Sequence, residues 1–396
     1  MVWASAAAGV ATLALRPRNG LIEPAPVEVR DYFSSDEIDR ARSYQRPQRA
    51  LGLAAMALDG GALAVIALRP PRQLQQALER AAPRPLPGAA AVGAGLSLGF
   101  GALGLPLAAV RHRRAVKAGI SVQTWPSWAS DVAKASAIGA ALNAGALAGA
   151  MGLVRRFPRS WWAPAAGGAT ALSSVFILLW PVLLDPVFNK FEPLPEGDLR
   201  RGVLELAERA GVKVGEVYRV DASKRTTAAN AYVTGLGRTK RVVLYDTLLN
   251  DFPPGEVRSV VAHELSHVRH RDVQRALAWL GIAAPAGMHL VQRITEWIAG
   301  EQEEPAPAIL PALVLAMGAV SFAAGLAGNT LSRRVEQRAD AFALNLTEDP
   351  QSFIELEKRL AIKALADPQP PRLMQKLFGT HPDAVERIGY AVAYAG

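Results

Sequence analysis

Three long stretches without a charged residue constrain this chain more than any other feature of its sequence. They are residues 89–110, 161–184 and 306–331. A helix that crosses a hydrocarbon core of about 30 Å needs about 20 consecutive apolar residues, and each stretch is long enough. Four further stretches are weaker candidates. Residues 2–15 and 276–291 are short. Residues 50–68 contain the charged residue Asp59, and residues 132–153 contain Lys134.

These stretches predict a mainly α fold, a transmembrane helical bundle with about seven spans. Many of their residues are Ala and Gly, which let membrane helices approach closely. The alternative is a set of buried helices in a large soluble protein. So many apolar segments in one chain disfavour that alternative.

The composition supports a membrane protein and excludes several other classes. Of the residues, 50% are hydrophobic and 20% are charged, which is too apolar for a disordered chain. The absence of cysteine excludes disulfides, thiolate metal sites and a cysteine nucleophile. A net charge of +9 fits either nucleic acid or a membrane with basic loops. Because the apolar residues are clustered, we predict the lipid bilayer as a partner and no nucleic acid.

Two segments have the composition of water-soluble structure. Residues 185–272 contain frequent charges, with an amphipathic helix predicted at 198–210 and strands at 217–220, 231–234 and 241–245. A turn at 235–238 would join the last two strands. Residues 332–396 are mixed in charge, and we expect them to be largely helical to about Ala366.

The chemical signal lies in a predicted helix at 256–268, which contains the sequence His-Glu-Leu-Ser-His at 263–267. Helical spacing places His263 and His267 one turn apart on one face, so both imidazoles can reach one tetrahedral ion. Glu264 lies about 100° round the helix from His263, close enough to contact a water molecule on that ion. Zinc makes such a water acidic, and a carboxylate then takes its proton as the oxygen attacks a carbonyl. Two solvated histidines on a polar helix face are the alternative.

A catalytic zinc ion needs a third protein ligand and an open fourth position. No further histidine follows at the spacing of the three-histidine metalloproteases, so we expect a carboxylate on a second helix. Residues 333–340 offer Glu336 and Asp340, one helical turn apart. Glu336 could bind the metal, while Asp340 could accept a hydrogen bond from a ligand imidazole and fix its tautomer. By itself this segment is more typical of a salt-bridged surface helix.

Together these residues resemble a bacterial member of the type I CAAX prenyl proteases, integral-membrane zinc metallopeptidases of the gluzincin group. The resemblance covers most of the chain, because further motifs match in the family's order. They are residues 41–45, 185–194, 230–236, 241–249, and 380–382 with 386–388.

The resemblance implies seven spans around a large chamber, one zinc ion per chain, and a peptide or protein substrate with or without a lipid. It implies that His263, His267 and Glu336 bind zinc. Glu264 would be the general base, and Asp340 would support an imidazole from outside the ligand set.

The resemblance also implies contacts with the substrate. His381 would be catalytic by steadying the oxyanion or the substrate, with Arg387 nearby as a substrate-binding residue. Asn230 and the strand near it would hold the peptide as an added β-strand, which grips a backbone regardless of its side chains.

We therefore expect four parts in the chain. An amino-terminal membrane domain with about five spans occupies 1–184, and a catalytic α+β part with the zinc helix occupies 185–272. Two further spans occupy 273–330, and a carboxy-terminal catalytic part with the third zinc ligand occupies 331–396.

The orientation in the membrane follows from the loops. The two catalytic parts flank two spans, so they share a side. The loop between those spans contains Arg293 but also Glu296, Glu301, Glu303 and Glu304. An acidic loop favours the outside, which puts the catalytic site of a multi-pass cell-membrane protein on the cytoplasmic side. Arg155, Arg156 and Arg159 favour the opposite orientation.

Three hypotheses for the function follow. The first is a zinc endopeptidase acting near the membrane, with CAAX-type processing of prenylated or membrane-anchored peptides as the implied activity. The second is a quality-control metalloprotease for membrane proteins with the same zinc site and no prenyl requirement. The third is a transporter or scaffold whose zinc site is structural or lost. Against the third, the predicted spans contain Asp59 and Lys134 as their charged residues, and a structural zinc normally has four protein ligands.

Overall fold

The computed structural model describes residues 2–235, 240–300 and 306–396. Most of the predicted turn at 235–238 lies outside these residues, as do Glu301, Glu303 and Glu304 of the acidic loop. The helices are α1 (Val2–Leu15), α2 (Val29–Tyr32), α3 (Ser35–Leu68), α4 (Arg72–Ala81), α5 (Pro85–Lys117), α6 (Trp125–Arg156), α7 (Trp162–Leu183), α8 (Asp185–Phe188), α9 (Asp198–Arg209), α10 (Asp246–Asp251), α11 (Pro254–Arg269), α12 (Asp272–Ala299), α13 (Leu310–Thr347), α14 (Pro350–Lys363), α15 (Arg372–Phe378) and α16 (Ala384–Ala395). The strands are β1 (Phe191–Pro193), β2 (Glu216–Val220), β3 (Ala231–Thr234) and β4 (Arg241–Tyr245).

The fold is mainly α, with a membrane bundle and one small sheet, and this confirms the predicted class. Within the described residues, five helices are long and apolar enough to cross a membrane, namely α3, α5, α6, α7 and α13. Each of them overlaps a predicted span. The two other predicted spans form α1, which has 14 residues, and α12, which has 28. α1 is short for a hydrocarbon core of about 30 Å, and polar residues such as Gln292 and Glu296 lower the hydropathy of α12.

Polar contacts and small residues hold the bundle together. The indole Nε1 of Trp279 on α12 donates to Thr12 Oγ1 on α1 at 3.0 Å, and Arg275 Nη1 donates to the carbonyl of Leu15 at 2.5 Å. α5 and α6 approach so closely that a Cβ atom at Gly93 would lie 2.3 Å from the carbonyl oxygen of Asn143. Only glycine fits at such a crossing.

The water-soluble elements form one body at one end of the bundle. Its core contains residues from both predicted soluble segments, such as Val217, Val261 and Ile388. It also contains Phe33 and Ile38 from the beginning of the chain, where α3 starts. The helices α12 and α13 leave this body and return to it, so the parts on either side of them lie together.

The sheet lies in this body and has the strand order β1-β2-β4-β3. β2 and β4 are parallel, whereas β1 and β3 are antiparallel to their neighbours. The three predicted strands are confirmed as β2, β3 and β4. β1 escapes prediction because it is three residues long and ends at Pro193. Its counterpart at the opposite edge is β3, which contacts α11 and pairs with no further strand in the described residues.

Two helices and one turn create the functional site. α13 runs from its apolar part at 310–331 into a polar segment in which Glu336, Arg338 and Asp340 are all buried. α11 packs against α13 and ends at Arg269. Two residues later, Arg271 adopts a left-handed backbone conformation with φ 55°. This turn directs Asp272, the first residue of α12, back toward the site. The segment predicted to be largely helical from residue 332 to about Ala366 consists of the end of α13 and of α14, which ends at Lys363. α15 and α16 follow it.

Candidate metal centre

Three side chains from α11 and α13 converge on one point. The Nε2 atoms of His263 and His267 are 3.3 Å apart. The carboxylate of Glu336 places Oε2 3.1 Å from His263 Nε2 and Oε1 3.7 Å from His267 Nε2. The three donors lie within 4.8 Å of one another, and His263 and Glu336 are buried. The residues predicted as ligands are therefore brought together from two helices.

The spacing of these donors fits a tetrahedral metal ion. Bonds of about 2.0–2.1 Å at tetrahedral angles would set neighbouring donors about 3.3–3.4 Å apart. The observed separations of 3.1, 3.3 and 3.7 Å lie around that value. Two imidazoles and one carboxylate are also the ligand set of many catalytic zinc sites. The residues present fit such an ion.

Each imidazole is fixed by a carboxylate on its other nitrogen. His263 Nδ1 lies 2.8 Å from Asp340 Oδ1, and His267 Nδ1 lies 3.1 Å from Asp272 Oδ2. Both Nδ1 atoms therefore carry the hydrogen and donate it, which leaves each Nε2 lone pair free for a metal. Asp340 takes the position predicted for it, whereas Asp272 was assigned no role from the sequence.

Two arginines neutralise these carboxylates. Arg387 Nε donates to Asp340 Oδ2 at 2.8 Å, and its Nη1 lies 2.8 Å from Glu357 Oε1. Arg338 pairs with Asp272. Although burial opposes ionisation of Asp272, its hydrogen bond with His267 and the charge of Arg338 lower its pKa. Burial raises the pKa of Glu357 to about 7, against the opposing charge of Arg387.

Glu264 follows His263 on α11 and is half-buried. Burial raises the pKa of its carboxyl group, while the charges of protonated His263 and His267 would lower it. A raised pKa suits a carboxylate that exchanges protons near neutral pH.

His381 reaches the site from the loop between α15 and α16. Its Nε2 lies 3.1 Å from Glu336 Oε2, although 58% of the side chain is exposed. Thr380 Oγ1 lies 2.9 Å from its Nδ1, and Gln375 Nε2 donates to its carbonyl oxygen at 2.6 Å. Burial of part of the ring lowers the pKa of His381 against the opposing charge of Glu336, which favours the neutral imidazole. The predicted catalytic histidine therefore lies on the open side of the three donors.

Asn230 lies directly before the edge strand β3. Its side chain is exposed, and its carbonyl oxygen accepts a hydrogen bond from the amide of Tyr245 at 3.0 Å. β3 contacts α11, so the open edge of the sheet runs beside the helix that carries His263 and His267.

Sequence reasoning missed three residues that support the site, namely Asp272, Arg338 and Glu357. Asp272 follows His267 by five residues, but a carboxylate at that spacing cannot contact the imidazole within one straight helix. The left-handed turn at Arg271 makes the contact possible. Arg338 and Glu357 give no local signal, because charged residues on an amphipathic helix usually face solvent.

Known proteins share this architecture. The model of peptidase family M48 matches residues 193–394, and that of the CAAX prenyl protease N-terminal domain, with five membrane helices, matches residues 21–190. Metalloprotease YhfN of Bacillus subtilis is 32% identical over 294 residues, which are 72% of this chain and 69% of that protein. The CAAX prenyl protease 1 homolog of Oryza sativa is 32% identical over 227 residues, 55% of this chain and 52% of that protein.

A solved structure has the same fold over nearly the whole length. The crystal structure of S. mikatae Ste24p matches with a TM-score of 0.80, covers 98% of both chains and is 21% identical in sequence. At this identity the likeness concerns the fold alone. The two family matches together extend over residues 21–394 with a short gap, and the candidate metal ligands His263, His267 and Glu336 lie within the M48 match. The chain therefore belongs to peptidase family M48, and it is an integral membrane metalloprotease of that family.

Proposed function

We propose that this protein is a zinc endopeptidase that cleaves peptides close to the membrane, with CAAX-type processing as its activity. The observation that supports this most strongly is the donor geometry of His263, His267 and Glu336. Their separations fit one tetrahedral ion with an open fourth position. Glu264 directly follows the candidate ligand His263 in sequence, and the chain has no cysteine that could bind the metal instead.

A bound zinc ion would supply a Lewis acid that polarises the peptide carbonyl and makes a water molecule more acidic. Glu264 acts as general base by taking a proton from the attacking water, and it later gives the proton to the leaving amine. The raised pKa of its carboxyl group makes Glu264 a stronger proton acceptor in the first transfer. The imidazoles of His263 and His267 stay oriented because Asp340 and Asp272 accept their Nδ1 hydrogens.

His381 stabilises the oxyanion that develops on the peptide carbonyl by donating from its neutral imidazole. Its position 3.1 Å from Glu336 Oε2, on the open side of the site, supports this role. Arg387 acts through Asp340, since its guanidinium group pairs with Asp340 and Glu357. We therefore propose a positioning role for Arg387 in place of the direct substrate contact that the sequence suggested.

The substrate is a peptide bound in extended form, and the edge strand β3 is the feature that suits it. An added strand pairs through its backbone, which gives affinity without selecting side chains. Asn230 directly before β3 would fix the position of this strand. The names of relatives such as the Oryza sativa protein suggest a CAAX sequence as the target.

A quality-control protease with no prenyl requirement is the second candidate function. The same backbone pairing would accept misfolded membrane proteins, and the Bacillus subtilis relative is named as a metalloprotease without reference to a prenyl group. For either function we place the site on the cytoplasmic side, as the acidic loop between α12 and α13 suggests.

The test is a cleavage assay on the purified full-length protein in detergent or vesicles. Two peptides of identical CAAX sequence are compared, one farnesylated and one unmodified, with and without a zinc chelator. We expect chelator-sensitive cleavage with preference for the farnesylated peptide. Equal cleavage of both peptides would favour the quality-control function, and cleavage that persists after zinc removal would overturn the proposal. Glu264→Gln is the control for contaminating proteases.

A further inference from the structure

The loop between α5 and α6 forms an antiparallel backbone pair with the chain segment that leads into β3. Ser121 lies opposite Thr226 in this pair. The amide of Val122 donates to the carbonyl of Arg225 at 3.1 Å, and the amide of Thr227 donates to the carbonyl of Ile120 at 3.0 Å. A loop of the membrane bundle thus contacts the backbone a few residues before the proposed peptide-binding edge.

An ion pair strengthens the contact. Arg225 Nε donates to Asp131 Oδ2 at 2.7 Å and Nη2 donates to Oδ1 at 3.2 Å, so the pair is bidentate. Arg225 Nη1 also donates to Asn189 Oδ1 at 3.2 Å, and Gln123 Nε2 donates to Asp131 Oδ2 at 2.6 Å. The side chains of Arg225 and Asp131 are 23% and 19% exposed. Bidentate pairs that are largely shielded from solvent are the stronger kind.

The same segment is bound to the sheet on its other side. The carbonyl of Ala228 accepts a hydrogen bond from Thr247 Oγ1 at 2.8 Å, and the carbonyl of Asn230 accepts one from the amide of Tyr245 at 3.0 Å. Residues 225–230 are therefore attached to the membrane bundle at one end and to the catalytic body at the other. The position of β3 relative to the bundle depends on both attachments.

We propose that Arg225 and Asp131 are positioning residues for peptide binding. Their ion pair sets where the open edge of β3 lies relative to the membrane helices from which a membrane-anchored peptide approaches. This inference rests on the proposed function, because it assumes that the peptide pairs with β3. It assigns to α6 and to the loop between α5 and α6 an indirect part in substrate binding, through the position of β3.

The test uses Asp131→Asn and Arg225→Gln, singly and combined, in the full-length protein. We expect each single substitution to raise KM for the peptide about tenfold, which is a loss of about 1.4 kcal/mol, with kcat nearly unchanged. The double variant should be no worse than either single variant, since both remove the same ion pair. A merely structural role would instead lower the fraction of folded, zinc-bound enzyme, and so reduce kcat without changing KM.

The matched control is Glu216→Gln. Glu216 on β2 forms an ion pair with Arg200 on α9 at 3.0 Å, away from the open edge of β3. The side chain of Glu216 is 36% exposed and that of Arg200 is 18% exposed. This variant should leave KM and kcat unchanged. An unchanged KM in Asp131→Asn and Arg225→Gln, or an equal rise of KM in Glu216→Gln, would overturn the inference.

Amide hydrogen exchange distinguishes failure of the inference from failure of the proposed function. Exchange at residues 225–234 needs no substrate, and Asp131→Asn should accelerate it relative to wild type and to Glu216→Gln. If the wild-type protein cleaves no peptide, the proposed function fails while this measurement still tests the ion pair. Unchanged exchange in Asp131→Asn would overturn the inference whatever the activity.

Discussion

Substitution of Asp272 tests how the imidazoles of the metal centre are oriented. Its carboxylate accepts the Nδ1 hydrogen of His267 at 3.1 Å and pairs with Arg338, and its side chain is 9% exposed. Asp272→Asn keeps the size of the side chain and removes its charge. We expect the substitution to weaken zinc binding, because His267 loses a charged acceptor, and to destabilise the fold, because Arg338 loses its counter-ion.

The two effects have different magnitudes. Loss of a carboxylate behind a ligand histidine typically lowers metal affinity about 10–100-fold. The side chain of Arg338 is 7% exposed, and breaking a buried ion pair from one side typically costs about 3–5 kcal/mol of unfolding free energy. Asp340→Asn should lower zinc affinity similarly but cost less stability, because Arg387 still pairs with Glu357 at 2.8 Å.

The assay measures both quantities on purified protein, without reference to activity. Zinc affinity comes from competition with a chelator of known affinity, and stability comes from thermal unfolding of the metal-free protein in detergent. Asp198→Asn serves as the control, because the Asp198 side chain is 98% exposed and its pairing with Arg201 lies at the surface. It should change neither quantity.

Two results would refute this reasoning. Zinc affinity of Asp272→Asn within about threefold of wild type, well below the usual effect of such a partner, would mean that His267 is oriented by other contacts. Equal losses of stability in Asp272→Asn and Asp340→Asn would mean that the ion pair of Arg387 with Glu357 does not offset the loss of the Asp340 charge.

Three further predictions concern the catalytic groups. Glu264→Gln should keep zinc and cleave about 10²–10⁴-fold more slowly, because general-base catalysis is lost; turnover within a few-fold of wild type would place the base elsewhere. Glu336→Ala should lose zinc under mild dialysis, whereas Asp340→Ala should keep some zinc and some residual cleavage. Metal analysis that shows greater zinc loss in Asp340→Ala would contradict the ligand assignment. His381→Ala should keep zinc and lower kcat about 10²–10³-fold, the usual cost of an oxyanion donor; an effect on KM alone would indicate a substrate contact.

The sequence alone was sufficient for features that depend on local pattern. The uncharged stretches predicted the helices that span the membrane, because the length and hydropathy of a spanning helix are set by the bilayer itself. The spacing of His263, Glu264 and His267 predicted a metal helix, because side chains four residues apart share one helical face. The β-branched and aromatic residues of β3 and β4 predicted strands, because such side chains pack well on the pleated surface of a sheet.

Contacts between distant segments were decided by the tertiary structure. Whether Asp272 reaches His267 depends on the left-handed turn at Arg271 between α11 and α12. The pairing of Arg225 with Asp131 depends on how the membrane bundle lies against the sheet. Charged residues on a helix are usually solvated, so a sequence does not reveal which of them are buried in pairs. Which residues share one face of a helix is a local property of the sequence. Which residues of other elements contact that face depends on tertiary packing.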